Sequence, residues 1–248
     1  MRSSGARDRG FRRTVISVRR GLVGLAVVAG LLVVGDRVAV TVAERAVGTQ
    51  LMASAELETR PDVDISGFPF LTQALSGRYG EVHVEAVGVP TDGVRVAELS
   101  ADLRVLEVPL SDALGGTVTR APVERLTARA LVSYADLSRQ SGSRRLTVAR
   151  EGAGVAVTGS VVVLGRRLSA TAVSTVRLDG GDIVVRAQRF RVGAEPADDA
   201  LTAAIGNRLD LRVKVGALPY GLELESLAAE ADGIALAAAG GPTVLTPT

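Results

Sequence analysis

The chain opens on one uninterrupted apolar run and then settles into short alternations. Gly21–Gly35 reads GLVGLAVVAGLLVVG, fifteen residues without a charge. As a helix this run reaches roughly 22 Å at about 1.5 Å per residue. A bilayer core is about 30 Å thick and takes about 20 residues to cross. Beyond Asp36 and Arg37 the apolar character resumes as VAVTVA to Ala43. A span over 21–43 is therefore long enough if the charged pair snorkels or sits at the interface. From Asp36 to about Thr59 there is no proline, and Ala, Val, Glu and Leu dominate. This predicts a helix continuing out of the apolar run, with Val40, Ala43, Val47 and Leu51 on one side, Glu44 interrupting that stripe, and Pro61 ending it.

Further on, the period changes to two, which predicts strands. Glu81–Val89 places apolar residues at Val82 and Val84, then at Val87 and Val89, a one-residue phase shift of the kind a β-bulge produces. Thr91-Asp92-Gly93 reads as a turn into a long strand over Val94–Val108, alternating at Leu99, Ala101, Leu103 and Val105. Val123–Val132 is a strand running into a short helix at Ser133–Gln140. Leu146–Ala149, Val155–Leu164, Arg167–Leu178 and Ile183–Val192 are further strands, the last two joined by a turn at Asp179–Asp182. Asp198–Leu209, with acids at its start, reads as a second helix. Leu222–Ala229 and Ile234–Ala239 make a hairpin across Asp232-Gly233, and Gly240–Thr248 is weakly specified.

The two Asp-Gly hairpins echo one another. Val82, Val84, Val87, Val89, Asp92, Gly93, Val94 and Val96 match Leu222, Leu224, Leu227, Ala229, Asp232, Gly233, Ile234 and Leu236 at a constant offset of 140. Each follows a proline turn with bulky apolar neighbours, Phe68-Pro69-Phe70 and Leu218-Pro219-Tyr220. Any two such hairpins share part of this pattern. A true repeat predicts two similar hairpins at related positions of one curved sheet system.

Charge divides the chain in two. Residues 1–35 contain seven arginines and one aspartate, a net +6, so the overall +2 leaves −4 on residues 36–248. The basic segment keeps the N-terminus in the cytoplasm and exports the body, whether 21–43 is an uncleaved anchor or a signal cleaved near Thr41-Val42-Ala43. A mildly acidic body with 3% aromatics is a poor partner for nucleic acid. Cysteine is absent and His83 is the only histidine, which excludes disulfides, thiol chemistry and multi-histidine metal sites.

Catalytic signals are weak. With its neighbouring valines inward, His83 faces out beside Glu85 and reads as structural. No nucleophile elbow, phosphate loop or dinucleotide fingerprint is present. Asp62/Asp64 read as a solvated strand face and Asp198-Asp199 as a helix start, rather than as a hydrolytic carboxylate pair. The bulky residues at the two proline turns either plug the ends of the core or line a hydrophobic groove.

The run Val63-Asp64-Ile65-Ser66-Gly67-Phe68-Pro69-Phe70-Leu71-Thr72-Gln73, then Gly77-Arg78-Tyr79-Gly80-Glu81-Val82, resembles the LmeA-like family of actinobacterial envelope proteins. So do Leu218-Pro219-Tyr220-Gly221-Leu222 and the following Asp232-Gly233-Ile234, with Tyr220 standing where the family pattern leads one to expect Phe. The resemblance covers roughly residues 36–240. It implies a non-catalytic phospholipid-binding protein of the cell envelope, without metal or cofactor, in which long curved antiparallel strands wrap a long helix as in tubular lipid-binding domains. Phe68, Phe70, Leu71, Tyr79, Leu218 and Tyr220 become candidate lipid contacts, and Arg78 a candidate partner for a phosphate.

The expected architecture is thus α+β: a basic cytoplasmic segment at 1–20, a membrane anchor or signal segment at 21–43, an exported lipid-binding domain at 44–240, and a tail at 241–248. The expected partners are phospholipid, the cell membrane and envelope glycan-assembly enzymes. The competing readings are an envelope scaffold without lipid and a glycan-processing enzyme.

Overall fold

The computed structural model describes residues 8–91, 94–116, 118–140, 146–163, 166–180, 182–193, 195–196, 211–213 and 218–246. The helix expected over Asp198–Leu209 lies outside them, as do Asp92 and Gly93 of the first hairpin turn. The chain forms one long N-terminal helix and two antiparallel sheets, an α+β arrangement.

Helix α1 runs Asp8–Ser54, 47 residues. Its described apolar side chains from Leu25 to Val34 are exposed, and from Asp36 onward one side of the helix packs on the domain. That side is Asp36, Ala39, Val40, Ala43, Glu44, Gly48 and Leu51. Val47, expected in the stripe, is exposed, and Gly48 takes the inward place. A Cβ at Gly48 would stand 2.8 Å from the Pro61 carbonyl, so the glycine permits the close approach. Glu44 interrupts the stripe for a reason: its Oε1 accepts the Ile65 N–H at 3.1 Å. The helix ends at Ser54, before the expected Thr59–Pro61 boundary; Glu56 adopts φ 50, a left-handed conformation that a helix cannot continue through.

The first sheet contains strands β1 (Asp62–Ser66), β2 (Arg78–Thr91), β3 (Val94–Glu107), β4 (Ala121–Ser133), β11 (Glu223–Ala229), β12 (Gly233–Gly240) and β13 (Thr243–Leu245). Its order is β1-β2-β3-β4-β12-β11, with β13 also on β4. The second sheet holds β5 (Thr147–Glu151), β6 (Gly154–Val163), β7 (Arg166–Asp179), β8 (Asp182–Val192), β9 (Glu195–Pro196) and β10 (Leu211–Val213), in the order β10-β8-β7-β6-β5 with β9 on β8. Among the described residues, three short α-helices follow α1: α2 (Phe70–Ser76), α3 (Leu110–Gly115) and α4 (Tyr134–Gln140). The sequence pattern announced α4 but not α2 or α3. Both of these follow a proline, at 69 and 109, and both end on a left-handed glycine, Gly77 and Gly116.

The echoed hairpins do occupy one sheet, β2–β3 on one side of β4 and β12–β11 on the other. The shared bulge does not hold. Strand β11 shifts register between Leu224 and Ser226, which keeps Leu224 and Leu227 on one face although they are three residues apart. Strand β2 pairs with β3 without a shift, so Ala86 turns inward and Val87 is left 53% exposed. In β3 the alternation breaks at Val105, whose φ of 53 hands the inward position to Leu106 and Val108. The segment 241–248 contains β13, which continues the β12 register on β4 beyond Gly241-Pro242.

One core lies where α1 meets this sheet: Val40, Val63, Ile65, Phe70, Ala74, Tyr79, Val82, Leu103, Val108, Ala121, Val123 and Leu126. The second sheet buries Val155, Ala156, Val173, Val184 and Phe190.

Candidate apolar site

Antiparallel pairing lines up residues of one face in rows across the strands. The row Val82–Leu103–Leu126 is buried in the α1 core. Beside it, Val84–Ala101–Ala128–Ala238–Leu224 runs across five strands and is half-buried throughout. Next comes Ala86–Leu99–Ala130–Leu236–Leu227, in which only Ala86 is buried. Both rows are wholly apolar, and their centres are alanines, which leave volume above the sheet where Leu or Val would fill it. The opposite face carries His83, Glu85, Asp102, Arg104, Thr127 and Arg129. The sheet is therefore largely polar on one side over β2–β4 and presents an incompletely covered apolar floor on the other.

Both proline turns stand at one end of this sheet. The starts of β2, β4 and β11 and the ends of β3 and β12 meet there. Their bulky residues differ in burial. Phe70 and Tyr79 are core, with ring centroids 6.3 Å apart. Phe68 (60% exposed), Leu71 and Tyr220 are exposed, and Leu218 is half-buried. Burial raises the Tyr79 hydroxyl above its ordinary pKa.

The motif around Phe68 is held by polar contacts of its own. Gln73 donates through Nε2 to the Ser66 carbonyl (3.2 Å) and accepts the Gly80 N–H on Oε1 (3.0 Å), clamping β1 to β2. Gly67 sits at φ 107, and a Cβ there would meet Gln73 Nε2 at 2.7 Å. Helix α2 begins after Pro69, which has no side-chain oxygen to cap it. Asp36 of α1 supplies one: its Oδ1 accepts the Leu71 N–H at 2.8 Å. Asp36 is 2% exposed and also pairs with Arg37 at 3.3 Å. Arg37 in turn lies 5.3 Å over the Phe68 ring.

Arg78 is exposed and paired with Glu107 (3.1 Å) and Glu124 (2.8 Å). Both glutamates border an open depression of about 300 Å³, otherwise lined by Val105, Pro122, Val123 and residues 242–244. An anion approaching Arg78 would have to displace or neutralise two carboxylates.

His83 faces out, as expected, and forms a network: Nδ1 to Asp102 at 2.7 Å and Nε2 to Glu85 at 3.1 Å, with Thr127 Oγ1 donating to Asp102 at 3.4 Å. The hydrogen bonds to Asp102 and then Glu85 raise the imidazole pKa above its ordinary 6.5, against a small opposing effect of burial. Both ring nitrogens face carboxylates, so neither is free to activate a nucleophile. Asp62 and Asp64 lie exposed on β1, and Asp198-Asp199 lies outside the described residues. Among the described residues, no three His, Asp or Glu side chains gather as metal ligands.

Sequence reasoning passed over Asp36, Gln73 and the alanine-centred rows. In the sequence Asp36 reads, with Arg37, only as a charged pair that snorkels or sits at the interface. The rows were legible only as separate alternations until pairing aligned them.

These features define a class: a β-rich domain that follows a membrane-length apolar helix and keeps one sheet face apolar and partly accessible. The particular family follows from comparison. The model of the family described as LmeA-like phospholipid-binding matches residues 34–239, and the chain belongs to that family. No curated protein and no solved structure matches the chain.

Proposed function

We propose that this protein is a membrane-anchored, exported domain that holds phospholipid acyl chains against the apolar floor of the first sheet, in support of cell-envelope lipid or lipoglycan assembly. The observation that carries the reading is the pair of half-buried, wholly apolar rows, Val84–Leu224 and Ala86–Leu227, in a chain of a phospholipid-binding family. Acyl burial contributes roughly 0.8 kcal/mol per CH₂, so two chains bind firmly without a dedicated polar site. Phe68, Leu71, Leu218 and Tyr220 form the rim at the proline-turn end, and Arg78 stands beside it, meeting a headgroup phosphate only when it leaves Glu107 and Glu124. Phe70 and Tyr79 act by holding α2 on β2.

An uncleaved anchor is supported by packing. Cleavage after Ala43 would remove Val40 from the core and Asp36 from the start of α2. The family match itself begins at residue 34, ahead of that point.

The test places a photoreactive diazirine residue at Leu236 of the full chain in vesicles, with Glu85 as the control position, and reads crosslinks by mass spectrometry. Phospholipid adducts at Leu236 and none at Glu85 are the expected result. Equal, background-level labelling at both positions would defeat the floor as a lipid site and leave the scaffold reading. An Ala130→Phe variant that keeps its melting temperature should reduce the Leu236 adducts several-fold.

A further inference from the structure

The 15-residue apolar run is too short to cross a bilayer, and an Asp-Arg pair follows it directly. The structure shows what surrounds that pair. Asp36 is covered by α2 and bonded to its backbone, and Arg37 folds over Phe68. On the other side of α1 the apolar surface continues through Val38 and Val42, both exposed.

Helix α2 is two-sided. Phe70 and Ala74 enter the core; Leu71 and Leu75, one turn apart, point outward, Leu75 at 76% exposure. Helix α3 stands beside it, tied by the Val108 N–H to the Gly77 carbonyl at 2.8 Å, and presents Leu114 at 81% exposure. Phe68, Leu71, Leu75 and Leu114 thus cluster where α1 leaves its apolar run. About 20 residues counted from Gly21 reach Val40, one helical turn beyond Asp36, to which α2 is bonded.

We propose that this end of the domain is a membrane-docking surface: Phe68, Leu71, Leu75 and Leu114 insert into the outer leaflet of the bilayer that α1 crosses. The occupant is the lipid surface itself, because the patch is apolar and stands beside Asp36 and Arg37, where the exposed apolar run of α1 ends. The domain covers the level at which the uncharged run of its helix gives out. Phe68 and Arg37 sit as an aromatic–cation pair at headgroup depth, where such residues anchor. The inference rests on α1 being a retained anchor, and the experiment separates the two.

The chain has no cysteine, so single-cysteine variants label cleanly. Val28→Cys, Leu75→Cys, Leu114→Cys and Glu85→Cys, each in the full chain, carry an environment-sensitive fluorophore. They are reconstituted in 7:3 phosphatidylcholine–phosphatidylglycerol vesicles with nitroxide-bearing lipids. Strong quenching at Val28, Leu75 and Leu114, at least threefold above Glu85, is expected. Quenching at Val28 with Leu75 and Leu114 matching Glu85 would overturn the docking surface and leave the anchor intact. No quenching at any of the first three would overturn both. Quenching at Leu75 and Leu114 without Val28 would sink the anchor and overturn the proposal in its stated form, leaving a peripheral lipid contact in place of docking beside a crossing helix. A Leu75→Ser/Leu114→Ser pair, both exposed positions, should keep the melting temperature while roughly halving quenching of a label at Leu71→Cys.

Discussion

His83 is the one imidazole in the chain, so its titration is readable without assignment ambiguity. Its pKa is raised by Asp102 and Glu85. The protonated form is therefore the stabilised one. The network's contribution is complete below about pH 6.5, the unfolded value, and is lost as pH rises through the higher folded value. Proton NMR should show the ring titrating above its ordinary range, and His83→Gln should flatten the dependence of melting temperature on pH across that window. A titration at the unperturbed value would contradict the geometry. Asp36→Ala should cost about 1–2 kcal/mol by chemical denaturation, the usual loss for a helix cap. Gln73→Leu removes two exposed hydrogen bonds, one to Ser66 and one from Gly80, a loss of about 0.5–1.5 kcal/mol for each.

At the scale of elements, the two hairpins separate what a sequence echo carries from what it does not. Their placement about β4 followed the echo, because alternation and an Asp-Gly turn specify a hairpin locally. The bulge did not follow, because register is settled by the partner strand. Opposite β2, the β3 residues keep step and Ala86 fits inward; opposite β11, β12 leaves Glu225 unpaired. Val105 offers a test of local strain. A β-branched residue at φ 53 is held there against its preference. Val105→Gly should leave stability unchanged or raise it by up to ~1 kcal/mol, whereas Val→Gly in a regular strand lowers it. A clear drop would mean that the Val105 side chain, not its backbone, holds the end of β3.

For the whole molecule, the prediction is one of retention and sidedness. Intact mass of the membrane-extracted protein should include residues 1–43, and protease added outside spheroplasts should digest the β domain while sparing the N-terminal segment. A mature chain starting after Ala43 would refute the anchor, and its core would have to form without Val40. The sequence by itself determined the apolar N-terminal helix, the α+β class, most strands and the family blocks at Phe68–Gln73 and Leu218–Leu222, since each is written in local period or motif. Only the tertiary structure decided that Phe70 and Tyr79 are core while Phe68 and Leu71 are surface, that Asp36 caps a helix thirty-four residues away in the chain, beginning at Phe70, and that alanines of separate strands align into an apolar floor. Those outcomes depend on register and on contacts between distant segments, which a pattern read along one strand does not contain.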